Sequence, residues 1–217
     1  MKGDAGMQFL MDTELIMDIV RFGILYIPTF LVFFIILGVY KKNGVSIKWK
    51  SHLAYITIFL IYIVGVAHFT GIGSIYEAMR LGKIEGGFNL IPFKHGFNKI
   101  GMTLNIIMCV PLGILVPFIW RKNDNIFKVG VIGFVFSLLI EISQLYSYRS
   151  SDIDDLIANT LGAVIGYIIY KVIAIVFRFK KKDNYYVFEP MLYIIVIFIA
   201  QYLLYNEFKI ASILYGW

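Results

Sequence analysis

The stretch IEISQLYSYRSSDIDDLIANTLG, residues 140–162, decides the interpretation of the fold because it places charged side chains between two long apolar runs. These side chains are Glu141, Arg149, Asp152, Asp154 and Asp155. An ionised group near the middle of a membrane helix costs about 2.5–3.5 kcal/mol, so such residues usually face a partner, a water-filled cavity or a functional site. The stretch therefore predicts the junction of two membrane helices and a candidate site beside it.

The composition outside this stretch indicates an integral membrane protein. Of the 217 residues, 59% are hydrophobic, and the mean hydropathy is +0.78. Soluble domains usually contain about 45–50% apolar residues. The formal charge of +6 comes from short lysine and arginine clusters between apolar runs. Because these clusters form no single basic face, they indicate anchors at the lipid headgroups and no nucleic-acid partner.

Six apolar segments are long enough to be membrane helices, since a helix crosses the hydrocarbon core in roughly 20 residues. They span residues 19–40, 53–75, 100–120, 126–146, 153–177 and 187–205. The predicted fold is an all-α polytopic transmembrane helix bundle of about six helices. Residues 76–99 form a long interfacial loop before the third helix, because five apolar side chains occupy its second half: Phe88, Leu90, Ile91, Phe93 and Phe97.

The distribution of basic residues predicts the orientation of these helices. Twelve of the twenty lysines and arginines lie in or next to the loops that join helices one to two, three to four and five to six. Short loops rich in these residues stay in the cytoplasm. Both termini and the segment 149–155 are therefore predicted to be extracytoplasmic.

Polar side chains near this junction are spaced to share one surface. Glu141 and Gln144 lie on one face of helix four, and Asp152, Asp155 and Asn159 form one stripe of helix five. An antiparallel hairpin brings the two sets together at the outward end. Arg149 is then placed to bridge several carboxylates.

More ordinary roles remain open for the same residues. The three aspartates are also the residue type that caps a helix and compensates its dipole. Glu141 and Arg149 are equally consistent with a structural ion pair. Asn105 on helix three either joins helices or lines the pocket, and Gly162 and Gly166 suit close helix packing. His52 is expected at the membrane interface.

Four segments resemble the VanZ-like family in their order and chemistry: FNLIPF (88–93), NIIMCVPLG (105–113), SLLIEISQ (137–144) and RSSDIDDLIANTLGAVIGY (149–167). The resemblance implies a small polytopic protein of the bacterial cell membrane, whose namesake confers low-level teicoplanin resistance. The predicted organisation is an amphipathic segment 1–18, a VanZ-like membrane domain 19–177 with its signature at 88–167, and a basic loop with a C-terminal membrane helix at 178–217. The implied polar signature is Asn89, Pro92, Asn105, Glu141, Gln144, Arg149, Asp152, Asp154, Asp155 and Asn159.

Two functions are compatible with these residues. The first is a non-enzymatic envelope protein whose outward polar pocket binds or shields a lipoglycopeptide or a lipid-linked cell-wall precursor. The alternative is a membrane-embedded hydrolase or transferase acting on such a precursor, with Glu141 as general base. No cofactor is implied by the first. Under the alternative, Asp152, Asp154 and Asp155 are candidate ligands of Mg²⁺ or Mn²⁺, which prefer oxygen donors.

Overall fold

Helices dominate the part of the chain that the computed structural model describes, which comprises residue 23 and residues 25–72, 88–94, 96, 98–145, 151–178 and 185–204. The helices are α1 (Leu25–Lys42), α2 (Trp49–Thr70), α3 (Lys99–Ile119), α4 (Ile126–Gln144), α5 (Ile153–Val176) and α6 (Glu189–Leu204). A short 3₁₀ helix (Arg121–Asn123) precedes α4, and two-residue strands β1 (Phe88–Asn89) and β2 (Ser151–Asp152) pair with each other. The predicted all-α bundle is confirmed.

Five of these helices, α1 to α5, are long and apolar enough to cross a membrane. The chain is therefore a multi-pass membrane protein. Helix α6 has 16 described residues, fewer than the roughly 20 that a straight crossing needs. Helices α3 to α6 lie close to their predicted limits, whereas α2 spans Trp49–Thr70 in place of 53–75. It ends early because Gly71 adopts a left-handed conformation with φ of 62°.

Three helices begin with a side-chain cap. Asn98 accepts a hydrogen bond from the Gly101 N–H at the start of α3, and Asn125 accepts two at the start of α4. Asp152 accepts one from the Asp154 N–H at the start of α5. Such caps contribute about 1 kcal/mol each. Of the three aspartates considered as helix caps, Asp152 therefore caps α5.

Helices α3 and α5 pack more extensively than any other pair among the described elements. Glycines permit this approach. A Cβ atom added at Gly113 would lie 1.9 Å from the Ala163 carbonyl oxygen, and one added at Gly166 would lie 2.1 Å from the Val110 carbonyl oxygen. At Gly162 the corresponding distance, to the Ile106 oxygen, is 2.3 Å. The expected packing role of Gly162 and Gly166 is confirmed, and their partner is α3.

The strand pair fixes one end of the bundle. Strands β1 and β2 run parallel, with Phe88 opposite Ser151 and Asn89 opposite Asp152. This pairing holds the segment that precedes α3 against the start of α5, although the two are far apart in sequence. We call this end, where α2 and α4 finish and α3 and α5 begin, the polar end. The other end, where α1 and α3 finish and α2 and α6 begin, is called the lysine end.

Candidate polar cavity

A cavity of about 410 Å³ lies at the polar end. Its floor carries Asn105, Glu141, Gln144, Asp155 and Asn159, which come from α3, α4 and α5. The remaining lining residues are mostly apolar and include three that are exposed on the outside of the bundle, Phe69, Leu104 and Ile107. A polar floor with an apolar, exposed rim suits a ligand with a polar head and a hydrocarbon chain.

Glu141 is the most deeply buried acid of the cavity, with only 5% of its surface exposed. Its Oε2 atom accepts hydrogen bonds from the Ser151 hydroxyl at 2.8 Å and from the Asp152 N–H at 2.9 Å. These two donors belong to β2, so the carboxylate also fixes the start of α5. The Oε1 atom receives no hydrogen bond from any residue in the described ranges. One oxygen of a buried carboxylate therefore remains available to a ligand.

The other polar residues of the floor are held by partners within the bundle. Asn105 donates a hydrogen bond from Nδ2 to Asp155 Oδ1 at 2.6 Å. Asn159 donates from Nδ2 to the Ser137 hydroxyl at 3.0 Å. Gln144 donates to the Thr70 carbonyl oxygen. Asn105 thus joins two helices and also lines the cavity, so both roles considered for it are found together.

Three further residues of the predicted signature lie beside the cavity but do not line it. They form a clamp. Asn89 donates from Nδ2 to both oxygens of Asp152, at 3.0 and 3.1 Å. Both oxygens of Asp154 lie within 3.1 Å of the Phe93 backbone nitrogen and accept its N–H. We call Asn89, Asp152 and Asp154 the loop clamp, because they fasten the segment 88–93 to the first turn of α5.

The loop clamp supports an unusual backbone conformation. Phe93 has a φ of 58°, in the left-handed region that a residue with a Cβ atom rarely adopts. This conformation costs roughly 1–2 kcal/mol. The hydrogen bonds to Asp154 offset that cost. Leu90 and Ile91, at 71% and 60% exposure, consequently project from the polar end as apolar surface.

The predicted site residues therefore divide into three groups. Five line the cavity: Asn105, Glu141, Gln144, Asp155 and Asn159. Three belong to the loop clamp: Asn89, Asp152 and Asp154. Arg149 lies outside the described residues, as do the segment 1–18 and residues 76–87 of the interfacial loop. Among the described residues, no three His, Cys, Asp or Glu side chains form a group suited to a metal ion.

Comparison with known proteins shows the family to which the chain belongs. The family model VanZ/LLP1 matches residues 59–178, more than half of the chain. This chain belongs to the VanZ/LLP1 family. It is also similar to Protein VanZ of Enterococcus faecium, with 29% identity over 118 residues that cover 54% of this chain and 73% of that protein. No solved structure matches the chain.

The VanZ-like region coincides with the helices that build the cavity. Residues 59–178 include the second half of α2 and all of α3, α4 and α5, together with the loop clamp. Helices α1 and α6 lie outside it. The signature predicted at 88–167 falls wholly within the matched region. Each described residue that lines the cavity is thus part of the VanZ-like region.

A second buried polar cluster, at the lysine end, was missed by the sequence interpretation. Its centre is Glu189 at the start of α6, which is fully buried. Trp120 donates from Nε1 to Oε2 at 2.9 Å, and His52 Nε2 lies 2.9 Å from the same oxygen. The Tyr40 hydroxyl donates to Oε1, and the Tyr186 backbone N–H also points to this oxygen. Glu189 therefore connects α6 with α1, α2 and the end of α3.

His52, which was expected at the membrane interface, lies inside the bundle in the first turn of α2. Its side chain is fully buried, and its ring stacks on Tyr185 with centroids 3.8 Å apart. The imidazole ring can be buried because Glu189 offers it a hydrogen-bond acceptor inside the bundle. The sequence contained one indication of this cluster, namely an acidic residue at the start of an apolar helix. That position is equally typical of simple dipole compensation at a helix start.

Proposed function

We propose that this VanZ-like membrane protein binds amphiphilic molecules in the polar cavity and thereby lowers susceptibility to lipoglycopeptide antibiotics such as teicoplanin. The observation that supports this most is the combination of a five-residue polar floor with an exposed apolar rim in a cavity of about 410 Å³. Ligand pockets commonly measure about 300–1,000 Å³. A cavity of this size accommodates a headgroup and the first part of a chain, while the rest of the chain lies in the bilayer.

The proposed mechanism places the polar end at the outer membrane surface. The lysine-rich loops at the opposite end favour this orientation, because short basic loops remain in the cytoplasm. An acylated antibiotic anchors its chain in the outer leaflet. Binding of the polar part of such a molecule at the cavity, with its chain against Phe69, Leu104 and Ile107, would hold it away from the cell-wall precursor.

The exposed segment 88–93 adds a second contact surface for the same ligand. Leu90 and Ile91 are exposed, and the loop clamp fixes their position relative to the cavity. A fixed apolar surface loses little conformational entropy when it binds a hydrocarbon chain. The clamp residues accordingly act in this proposal by positioning the loop.

The enzyme alternative has weaker support. Both oxygens of Asp152 and both oxygens of Asp154 are engaged by the Asn89 amide and the Phe93 N–H. These two acids therefore have a sufficient structural role. The acids that face the cavity are Glu141 and Asp155, so an enzymatic mechanism would have to work with this pair. We take binding as the proposed function.

The proposed function predicts a selective resistance phenotype. Expression of the gene in a susceptible host should raise the minimal inhibitory concentration of an acylated glycopeptide several-fold and leave that of a non-acylated glycopeptide unchanged. Leu104→Trp, which fills the rim of the cavity from a position that is 61% exposed, should abolish the effect. Leu161→Trp is the matched control, because Leu161 is an exposed leucine outside the cavity lining.

Membrane levels of all three proteins must be compared by immunoblot, so that loss of expression is not mistaken for loss of function. Equal shifts for acylated and non-acylated glycopeptides would contradict the proposal. Full activity of Leu104→Trp at normal membrane levels would show that the cavity is not the binding site.

A further inference from the structure

We infer that the lysine end carries a binding site for one anionic phospholipid, whose phosphate lies between the α3 to α4 connection and the last turns of α5. This inference goes beyond the proposed function and does not depend on it. Helices α3 and α4 are both long enough to cross the membrane, and residues 120–125 connect them. So short a connection between two membrane helices lies at the bilayer surface, at the depth of the lipid headgroups.

Four basic side chains lie on or next to this connection. Arg121 and Lys122 belong to it, Lys128 lies in the first turn of α4, and Lys171 lies on α5. Lys128 Nζ donates a hydrogen bond to the Lys122 carbonyl oxygen at 2.8 Å, and Lys171 Nζ lies 2.9 Å from Asp124 Oδ1. These contacts hold both ammonium groups against the connection. We call the four basic residues the basic cluster.

Among the described residues, the acids at the lysine end are too few to balance this charge. Four of the six acids in the described ranges lie at the polar end, and Asp124 is the fifth. The sixth, Glu189, is fully buried and makes its hydrogen bonds inside the bundle. Residues 179–184, which follow α5 in the sequence, carry three lysines and one aspartate, so their formal charge is also positive. The charge of this end therefore favours an anionic ligand.

Aromatic side chains fix the position of Arg121. Its guanidinium donates a hydrogen bond to the Tyr170 hydroxyl, and its Cζ atom lies 5.4 Å from the Phe118 ring centroid and 5.7 Å from that of Tyr170. The Tyr167 hydroxyl donates to Asp124 Oδ1 at 3.0 Å and so joins α5 to the same connection. An ordered guanidinium loses less conformational entropy when it binds, and its planar fork suits phosphate oxygens. The basic cluster is thus preorganised for a phosphate group.

Exposed apolar side chains beside the basic cluster favour a lipid as the source of that phosphate. Phe127, which precedes Lys128, is 80% exposed, and Val172, which follows Lys171, is 57% exposed. On membrane helices such side chains contact the hydrocarbon chains of the bilayer. A phosphate at the basic cluster would therefore bring its acyl chains against α4 and α5. Basic sites between membrane helices bind anionic lipid headgroups in this way.

Native mass spectrometry of the full-length protein tests the inference, because it resolves single bound lipids. The protein in detergent is titrated with dioleoylphosphatidylglycerol, which is anionic, and with dioleoylphosphatidylcholine, which has the same chains and no net charge. The first phosphatidylglycerol should bind at least about tenfold more tightly than the first phosphatidylcholine. The double variant Lys122→Gln/Lys128→Gln should lose about tenfold in affinity for phosphatidylglycerol and keep its affinity for phosphatidylcholine.

The double variant Lys41→Gln/Lys42→Gln is the matched control. It removes two exposed lysines from the same end of the bundle, but these lie at the end of α1, outside the basic cluster. This variant should bind phosphatidylglycerol as the native protein does. Folding of each variant is checked by circular dichroism and gel filtration. If Lys122→Gln/Lys128→Gln does not fold, the single variant Lys122→Gln, at an exposed position, replaces it with a smaller expected loss.

Three results would overturn the inference. Equal affinity for the two lipids would show that the headgroup charge is not recognised. Equal losses in the two double variants would show that the whole basic surface attracts the lipid and that the cluster is not a site. Displacement of phosphatidylglycerol by an excess of ammonium phosphate would identify free phosphate as the ligand. The polar cavity is at the opposite end of the bundle, so these results leave the proposed function untouched.

Discussion

Replacing Glu189 by alanine is expected to lower the free energy of unfolding by about 3–5 kcal/mol, the usual cost of removing one partner from a buried polar cluster. The carboxylate is fully buried and binds Tyr40, His52 and Trp120. After truncation these three side chains would keep their polar atoms inside the bundle without an acceptor. Each unsatisfied buried group costs about 1–3 kcal/mol. Denaturant or SDS titration of the purified protein in one detergent measures the loss.

A salt bridge at the surface provides the control for this prediction. Lys171 Nζ lies 2.9 Å from Asp124 Oδ1, and the lysine side chain is 46% exposed. Asp124 is only 10% exposed but also accepts a hydrogen bond from the Tyr167 hydroxyl, so it keeps one donor when the lysine is removed. Lys171→Met should therefore change the stability less than Glu189→Ala. A loss for Glu189→Ala no larger than that for Lys171→Met would show that the cluster does not hold α6 to the bundle.

Replacing Gly166 by alanine is expected to destabilise the protein by about 3 kcal/mol or more, at the upper end of the usual cost of overpacking. The added methyl group would lie 2.1 Å from the Val110 carbonyl oxygen and 3.0 Å from the Gly113 Cα atom. Both of these neighbours are backbone atoms, so rotation of a side chain cannot relieve the clash. Helices α3 and α5 would have to separate, which would also displace Asn105 from Asp155 in the cavity.

The same substitution at Gly65 is the matched control. Gly65 lies within α2, and a Cβ atom there would meet nothing within 4 Å. Alanine is favoured over glycine in a helix interior by about 1 kcal/mol, so Gly65→Ala should keep or raise the stability. Similar behaviour of the two variants in thermal unfolding would contradict the close contact between α3 and α5.

Local sequence features predicted much of the helical fold because hydrophobicity and helix length act along one segment at a time. The helical spacing also predicted that Glu141 and Gln144 share a face and that Asp155 and Asn159 share another. All four line one cavity in the structure. Short-range periodicity and a short connection between two helices were enough for this result.

Contacts between segments that are distant in sequence could not be predicted from these local features. Asn89 and Asp152 are 63 positions apart, and His52 and Glu189 are 137 apart. No periodicity relates such positions, since their proximity depends on how whole helices pack. The sequence therefore indicated the capping role of the aspartates but did not reveal that Asp152 and Asp154 also fasten the segment before α3. Glu189 was overlooked for the same reason.

The location of the polar cavity on the outside of the cell is the central claim, and cysteine labelling tests it most directly. Single cysteines are introduced at Leu90, which is 71% exposed at the polar end, and at Lys122, which is exposed at the lysine end, in a Cys109→Ser background. With a membrane-impermeant maleimide, intact cells should label Leu90→Cys, and Lys122→Cys should react only after permeabilisation. Labelling of Lys122→Cys alone in intact cells would contradict the outward cavity and, with it, the proposed contact with extracellular antibiotic.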